Sequence, residues 1–186
     1  MTAWDKIVSD FVAVKKNDPA AKSYFEILLC HTPLWTIIAY RLMNPLHNFG
    51  VPVFPRFIMT ILKILTGVEI HPGADIGNSF FIDHGIGTVV GETAKIGNNC
   101  ILFHNVTLGG TGKHKKKRHP TLGNNVLVGA GATLLGPIKI GNNVMIGAET
   151  FVIMQDIPNK CTVVGVPGKI VRLNNKKTNK KLIKTK

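Results

Sequence analysis

The chain has 186 residues, 45% of them hydrophobic, and a formal net charge of +13. That length is enough for one domain with a sizeable core. The most apolar stretch, residues 34–43, contains Arg41 and is too short to span a bilayer, and residues 1–10 lack the composition of a signal peptide. We therefore expect a soluble, cytoplasmic protein.

The positive charge lies in two clusters, five cations within residues 113–118 and eight from Lys169 onward. Neither cluster is interleaved with aromatic side chains, and a run of charges is usually a solvated surface, so no nucleic-acid partner is predicted. The three cysteines, Cys30, Cys100 and Cys161, lack metal-ligand spacing. They are expected to be buried thiols, and no metal is expected.

Residues 1–67 are predicted to form a helical segment. Thr2 is placed to cap a helix that reaches Val14, because apolar residues recur in it at helical spacing. Asp18-Pro19 has the pattern of an N-cap followed by proline at the first helical position. A second helix is therefore predicted from Asp18-Pro19 through Leu29.

Two further helices are predicted before the chain changes character. Thr32-Pro33 repeats the cap and proline pattern and opens a third helix that ends near Pro45. Residues 56–65 form a fourth, apolar helix that Gly67 stops. We expect these helices to close one end of the structure that follows.

Residues 68–172 are predicted to form the second region of the chain, in which aliphatic side chains recur every six residues from Ile70 to Val152 and are often followed by glycine. A strand alternates its side chains with period two, so a repeat of six keeps the same residue pointing inward on every short strand. Such hexapeptide repeats are typical of a parallel β-helix, in which each rung buries its aliphatic residue only when neighbouring rungs stack on it. The aliphatic residues in register are Ile70, Ile76, Ile82, Val90, Ile96, Leu102, Leu108, Leu122, Val128, Leu134, Ile140, Ile146 and Val152.

The repeat is interrupted twice. Two extra residues lie between Ile82 and Val90, and a long basic segment separates Leu108 from Leu122. Insertions in such a fold loop out of one face, which is often the binding face.

Asp83-His84 lies in the first interruption, and Glu69 and His71 come about one coil earlier. A carboxylate bonded to one imidazole nitrogen fixes the tautomer and leaves the other nitrogen as a base, so this pattern fits a catalytic histidine. It also fits a structural histidine satisfied in a turn. Arg118-His119, at the end of the second interruption, adds a guanidinium suited to a carboxylate or phosphate.

Between Asp18 and about Val171 the chain carries a series of short motifs: Glu69-Ile70-His71-Pro72, Ile82-Asp83-His84, Val90-Gly91-Glu92-Thr93, Val106-Thr107-Leu108-Gly109-Gly110-Thr111-Gly112-Lys113, Arg118-His119-Pro120 and Gly165-Val166-Pro167-Gly168. In type and spacing the series resembles that of serine O-acetyltransferases, within the hexapeptide-repeat acyltransferases. The resemblance implies a mainly β protein with an α-helical N-terminal segment, folded as a left-handed parallel β-helix. It also implies transfer of acetyl from acetyl-CoA to L-serine, giving O-acetyl-L-serine for cysteine biosynthesis.

The resemblance also implies roles for the matching residues. His84 is the general base that removes the serine hydroxyl proton, and Glu69, where many members have Asp, is the acid that orients it. The residues that match serine ligands are Asp18 and Asp83 for the amino group, Arg118 for the carboxylate, and His119 as a further contact. The residues that match the acetyl-CoA site are Gly110, Thr111, Ala130 and Ala148.

Assembly and partners follow from the same resemblance. The family implies a homotrimer or a dimer of trimers, and the short helical segment puts the larger assembly in doubt. The family's C-terminal peptide, which docks into O-acetylserine sulfhydrylase, usually ends in Ile, whereas Ile183 lies three residues before the last residue here. That complex is possible but is not assumed, and residues 173–186 are predicted to be a disordered basic tail.

Three other functions remain open at this stage. The first is a hexapeptide acyltransferase with a sugar or other hydroxyl acceptor, against which Asp18, Asp83 and Arg118 favour a zwitterionic amino acid. The second is a carbonic-anhydrase-like metal enzyme, for which four histidines supply the count: His71, His84, His104 and His119. The third is a basic solenoid that binds nucleic acid or another protein, which leaves the insertion at Asp83-His84 without a purpose.

Overall fold

The structure, a computed structural model, describes residues 2–112 and 116–185. Lys113 and Lys115 of the basic cluster therefore lie outside the described residues. Four helices come first: α1 (Ala3–Asn17), α2 (Tyr24–Cys30), α3 (Thr32–Asn48) and α4 (Phe54–Thr66). Within the described part of the chain, none of the helices has the length and apolar character needed to cross a membrane.

The first two helices begin where side chains satisfy their free N–H groups. Thr2 caps α1 as predicted, since its hydroxyl accepts the N–H of Asp5 and the Asp5 carboxylate accepts the N–H of Thr2. The prediction for Asp18 was wrong, because this residue ends α1 and its carboxylate accepts the N–H of Ala20 in a turn. Ser23 caps α2 instead, and its hydroxyl accepts the N–H of Glu26.

The next two helices are longer than predicted. α3 continues through Pro45 to Asn48, and its N-cap is His31 rather than Thr32. α4 ends as predicted at Gly67, whose φ of +72° is the left-handed conformation that glycine adopts at little cost.

The β-region is a parallel β-helix with three sheets, which confirms the predicted fold. Sheet A contains β1 (Glu69–Ile70), β4 (Val89–Val90), β7 (Thr107–Gly109), β10 (Thr133–Leu135) and β13 (Phe151–Ile153). Sheet B contains β2 (Asp75–Ile76), β5 (Lys95–Ile96), β8 (Thr121–Leu122) and β11 (Lys139–Ile140). Sheet C begins with β3 (Phe81–Ile82), β6 (Ile101–Leu102), β9 (Leu127–Val128) and β12 (Met145–Ile146).

Strand register measures the length of each coil. Val89 of β4 pairs with Thr107 of β7, 18 residues later, which is three hexapeptides. The first coil is two residues longer, since Glu69 pairs with Val89, and the coil with the basic segment is eight residues longer, since Thr107 pairs with Thr133. Both insertions flank sheet A, so the departures from the repeat lie on either side of one sheet.

The core is the stack of inward-facing aliphatic residues. All thirteen residues predicted from the six-residue period are buried, with at most 3% of their surface exposed. At about 1.5–3 kcal/mol for each buried side chain, the stack is the main stabilising contribution. Cys100 and Cys161 are buried thiols as predicted, whereas Cys30 is exposed, which corrects the expectation for that residue.

The helices cover the first coil, as expected, and their polar side chains satisfy its free sheet edge. The Tyr40 hydroxyl donates to the carbonyl of Ala74 and accepts the N–H of Ile76. Arg41 donates to the Ile76 carbonyl and to the carboxylate of Asp10. Because an open edge would leave buried backbone groups unpaired, these contacts fix the helical segment on the β-helix.

The C-terminus differs from the predicted disordered tail. Sheet C ends in antiparallel strands β15 (Cys161–Val164), β16 (Lys169–Leu173) and β17 (Lys176–Lys181), while β14 (Gln155–Asp156) pairs with β18 (Ile183–Lys184). Leu182, between β17 and β18, is buried against the core. This apolar contact and the strand pairing account for order in a segment whose composition alone favours disorder.

Candidate active site

The predicted site residues divide between the two edges of sheet A. The turns that lead from sheet C to sheet A, residues 83–88, 103–106, 129–132 and 147–150, form what we call the histidine corner. The turns that lead from sheet A to sheet B, residues 71–74, 91–94, 110–120 and 136–138, form the arginine corner, of which residues 113–115 are not described. Each corner contains one of the two insertions.

His84 lies in the insertion at the histidine corner. Its backbone φ of +60° and that of Gly85, +77°, turn the chain sharply. A Cβ on Gly85 would lie 2.7 Å from Val68 Cγ2, so the tight turn requires glycine. The turn leaves the His84 imidazole 74% exposed, with Nε2 3.7 Å from Asp83 Oδ1.

A line of residues continues from His84 along the histidine corner. Ile82 pairs with Leu102, and the ring of His104 accordingly stands edge-on to that of His84, with centroids 5.7 Å apart. The same register carries the line onward to Ala130 and Ala148, the two small residues predicted for acetyl-CoA. Ala130 is half-buried and Ala148 is exposed, so a shallow track of small side chains leads away from the two imidazoles.

Asp18 joins this corner from the helical segment. It lines a cavity of about 160 Å³ together with Cys30 and His31. Burial lowers the pKa of His31, while the carboxylates of Asp18 and Asp83 act in the opposite direction and His84 adds to the lowering. Asp18 and Asp83 thus both act on His31 electrostatically, and two carboxylates near one point suit a cationic group of a ligand.

Glu69 is not in contact with His84 among the described residues. It faces outward on β1 of sheet A, and its Oε2 lies 2.5 Å from Nζ of Lys63 on α4. Both partners are about half exposed and line a cavity of about 110 Å³ with Arg56 and His71. The carboxylate beside His84 is that of Asp83, and the orienting role of Glu69 stays a prediction.

Arg118 and His119 lie at the arginine corner, against the residues that follow β4. The Arg118 guanidinium forms a close ion pair with Glu92, and this hydrogen bond holds the pKa of the Glu92 carboxyl below its usual range. His119 is buried, with Nδ1 2.9 Å from the hydroxyl of Thr93. The corner is cationic apart from Glu92, and a guanidinium there suits a carboxylate.

Gly110 and Thr111 begin the second insertion at the same corner. A Cβ on Gly110 would lie 3.3 Å from the carbonyl oxygen of Arg118, so the two ends of the loop are in close contact. Within the described residues, the buried Thr111 hydroxyl has no hydrogen-bond partner. A buried hydroxyl that lacks a partner is destabilising unless a ligand or water fills that role.

Comparisons with known proteins decide the family. Residues 119–153 match the family model described as bacterial transferase hexapeptide (six repeats). The serine acetyltransferase of Synechococcus elongatus is 50% identical over 89% of this chain and 67% of its own length. That of Bacillus subtilis is 47% identical over 93% of this chain and 79% of its own. The chain belongs to the serine acetyltransferase family.

Solved structures of serine acetyltransferases share the fold of most of this chain. That of the Neisseria gonorrhoeae enzyme has a TM-score of 0.88 at 40% identity and covers 95% of this chain and 68% of its own. The soybean enzyme complexed with serine has a TM-score of 0.87 at 40% identity, covering 91% and 70%. A third, complexed with cysteine, has a TM-score of 0.88 at 36% identity, with the same coverage.

The four histidines considered for a metal site are split within this serine acetyltransferase homologue. His71 and His119 lie at the arginine corner, and His84 and His104 lie at the histidine corner. Among residues 2–112 and 116–185, no three His, Cys, Asp or Glu side chains are placed to hold one metal ion.

The contacts of several residues near the candidate site were not predicted from the sequence. Glu92 and Thr93 belong to one of the motifs named above. Their contacts with Arg118 and His119 could not be predicted, because they depend on the path by which the second insertion returns to the turn after β4. His104 was considered only as a metal ligand, yet its place beside His84 could have been predicted, because a coil of 18 residues plus the two inserted residues brings the two together. The ion pair of Lys63 with Glu69 could not be predicted, since a lysine near a helix end is common.

Proposed function

We propose that this protein transfers the acetyl group of acetyl-CoA to the hydroxyl of L-serine, giving O-acetyl-L-serine for cysteine biosynthesis in the cytoplasm. The observation that carries the proposal is the exposed His84 beside Asp83 on an inserted turn, in a chain that is 47–50% identical to serine acetyltransferases. Relatives crystallised with serine and with cysteine support an amino acid as the acceptor.

In the proposed reaction His84 is the general base. The serine oxygen attacks the carbonyl carbon of the thioester while its proton passes to His84. The C–S bond then breaks, and the CoA thiolate takes up the proton from His84. General-base assistance typically contributes about 10²–10⁴-fold, and holding serine against the thioester contributes much of the remainder.

Serine recognition is proposed to use opposite charges at its two ends. Asp18 and Asp83 at the histidine corner bind the ammonium group, and Arg118 at the arginine corner binds the carboxylate, with His119 as a further contact. A sugar has neither charge, so this arrangement disfavours the alternative of a hexapeptide acyltransferase with a sugar acceptor.

A site built in this way needs two chains. Sheet A separates the two corners of one chain, whereas the hydroxyl, ammonium and carboxylate groups of serine lie within a few bonds of each other. We therefore propose a homotrimer, alone or paired as a dimer of trimers, in which the histidine corner of one chain faces the arginine corner of the next. A closed ring of identical contacts completes every site.

Glu69 is proposed to orient His84 after its carboxylate leaves Lys63. An exposed ion pair of this kind contributes only about 0–1 kcal/mol, so binding of substrate can offset its loss. The longer Glu side chain, in place of the family's usual Asp, adds one methylene of reach.

Acetyl-CoA is proposed to lie along the histidine corner, where Ala130 and Ala148 leave room for the pantetheine chain. Gly110 and Thr111 of the neighbouring chain would then border the thioester. The unpartnered Thr111 hydroxyl and a backbone N–H there are suited to a carbonyl oxygen that develops negative charge.

The proposal is tested by measuring thiol release from acetyl-CoA with purified protein. L-Serine, L-homoserine and a galactoside are supplied in turn, each with and without a chelator. Serine-dependent release that the chelator leaves unchanged supports the proposal. Thiol release with the galactoside alone would show that the acceptor is a sugar. The absence of thiol release with every acceptor would refute acetyl transfer.

A further inference from the structure

Thr93 contacts the functional end of the second insertion through all of its polar groups. Its hydroxyl oxygen accepts the backbone N–H of Arg118 at 3.0 Å and that of His119 at 3.1 Å. Its carbonyl oxygen accepts a hydrogen bond from Nζ of Lys117. One residue of the turn after β4 therefore fixes the backbone of the two residues assigned to substrate binding.

The contacts of Thr93 also determine the protonation of His119. The backbone N–H of Thr93 lies 3.1 Å from Nδ1 of His119, and because an N–H can only donate, Nδ1 must be an acceptor. The Thr93 hydroxyl, 2.9 Å from the same nitrogen, uses its oxygen to accept two N–H groups and has its proton left to donate. In a neutral imidazole with an unprotonated Nδ1, the proton is on Nε2.

We propose that Thr93 is a positioning residue that holds His119 as a neutral imidazole with its proton on Nε2, so that His119 is a fixed N–H donor to the carboxylate of the acceptor substrate. The part that concerns the substrate rests on the proposed function. In this role His119 is a hydrogen-bond donor and not a base, which leaves His84 as the base of the reaction.

The packing around the ring supports a fixed orientation. The imidazole lies on Gly91, where an added Cβ would be 2.1 Å from Cδ2 and 2.2 Å from Nε2, so only glycine admits the ring. His119 is 8% exposed, and no described residue accepts a hydrogen bond from its Nε2. The Nε2–H donor of His119 lies one residue after Arg118, and the Arg118 guanidinium is itself suited to a carboxylate.

The charges that face His119 favour the same state. Burial lowers its pKa, and the neighbouring cations Arg118 and Lys117 lower it further, with a small contribution from His71 in the same direction. Glu92 is the only described group among these causes that acts in the opposite direction. A protonated Nδ1 would also point at the Thr93 N–H, so the geometry and the charges agree.

The tautomer is tested on the ligand-free protein with ¹⁵N-histidine NMR, with His119 assigned from the His119→Gln variant. At neutral pH we expect an unprotonated Nδ1 and a protonated Nε2. In Thr93→Val the loss of one donor to Nδ1 should raise the pKa of His119, whereas Thr93→Ser, which keeps the hydroxyl, should behave as the wild type. A charged His119, or a proton on Nδ1 in the wild type, would overturn the proposal.

Kinetics test the substrate part. Thr93→Val should raise the KM for serine by roughly tenfold, the lower end of what a lost hydrogen bond to a charged group causes, and change the KM for acetyl-CoA little. Thr93→Ser should restore the serine KM. Equal effects of Val and Ser, or equal effects on both substrates, would refute the positioning role. If the wild type releases no thiol with serine, the proposed function fails, and the NMR result still decides the tautomer.

Discussion

His84 lies on the longest turn of the histidine corner. In the other turns of the histidine corner four residues connect sheet C to sheet A, whereas six connect β3 to β4. The imidazole is exposed on this longer turn, as that of His104 is on the four-residue turn of the next coil. Because the His84 side chain is 74% exposed, its truncation leaves no cavity. A mutation of His84 can therefore test its proposed catalytic role with little effect on stability.

We predict that His84→Ala lowers kcat by about 10²–10⁴-fold, the usual contribution of a general base, and leaves the thermal midpoint and the assembly unchanged. Steady-state kinetics and size-exclusion chromatography measure these effects. Ile86→Ala is the matched control, because Ile86 lies in the same turn and is 72% exposed but has no chemical group to contribute. Near-normal kcat in His84→Ala would remove this residue from the mechanism.

Arg118→Ala should weaken serine binding far more than acetyl-CoA binding. The guanidinium is assigned to the serine carboxylate, and a charged hydrogen bond is typically lost at a cost of roughly ten- to hundredfold in affinity. The KM for each substrate is measured, with Lys116→Ala as a control for charge on the same loop. A similar rise in both KM values would contradict the assignment.

At the scale of elements, a buried ion pair between α1 and α3 is hydrogen-bonded to the first coil of the β-helix. Asp10 and Arg41 are almost fully buried, and Asp10 also accepts the N–H of Phe80 in the turn before β3. Burial raises the pKa of Asp10, opposed by its hydrogen bonds to Arg41. Replacing one partner leaves the other charge buried without compensation, which is far more destabilising than the pair is stabilising.

Asp10→Ala is therefore expected to lower the free energy of unfolding by about 3–5 kcal/mol. Chemical denaturation followed by circular dichroism measures it. Asp75→Ala, which removes an exposed carboxylate 3.7 Å from Lys95, is the control and should change stability little. An equally small change for Asp10→Ala would mean that the helices are held by apolar packing alone.

Most elements could be predicted from the sequence because their signals are local. The six-residue period correctly predicted thirteen buried residues of the core, and Gly67 and Thr2 marked the ends of helices correctly. The helix start predicted at Asp18 was wrong because an Asp-Pro pair fits both a helix start and a turn. The correct start was indicated by Ser23, three residues before Glu26. The tail could not be predicted, since its order depends on pairing with β14 and on burial of Leu182.

At the scale of the whole molecule, candidate site residues could be named from motifs, but their arrangement in space could not be predicted. Which residues share a corner depends on coil length, and the contacts of Thr93 depend on the path of the second insertion. Glu69 illustrates the difference, because the motif places it one coil before His84 and the structure pairs it with Lys63.

The proposed site, shared between two chains, makes a prediction about mixtures of variants. His84→Ala and Arg118→Ala chains, each of low activity alone, should regain about a quarter of wild-type activity after they are unfolded together in equal amounts and refolded as trimers. In a random mixture that fraction of interfaces pairs an intact histidine corner with an intact arginine corner. Refolding the variants separately and then mixing them is the control. No gain after joint refolding would place the whole site within one chain.

Strand β17 covers sheet C at the last coil of the β-helix. A parallel β-helix presents an open rung at its last coil, onto which a further rung from another molecule could add to form a fibre. Here β16 and β17 reverse direction, and the outermost strand carries four lysines: Lys176, Lys177, Lys180 and Lys181. If two molecules met at this end, their lysines would repel each other. The residues that give the chain much of its positive charge therefore disfavour the addition of further molecules into a fibre.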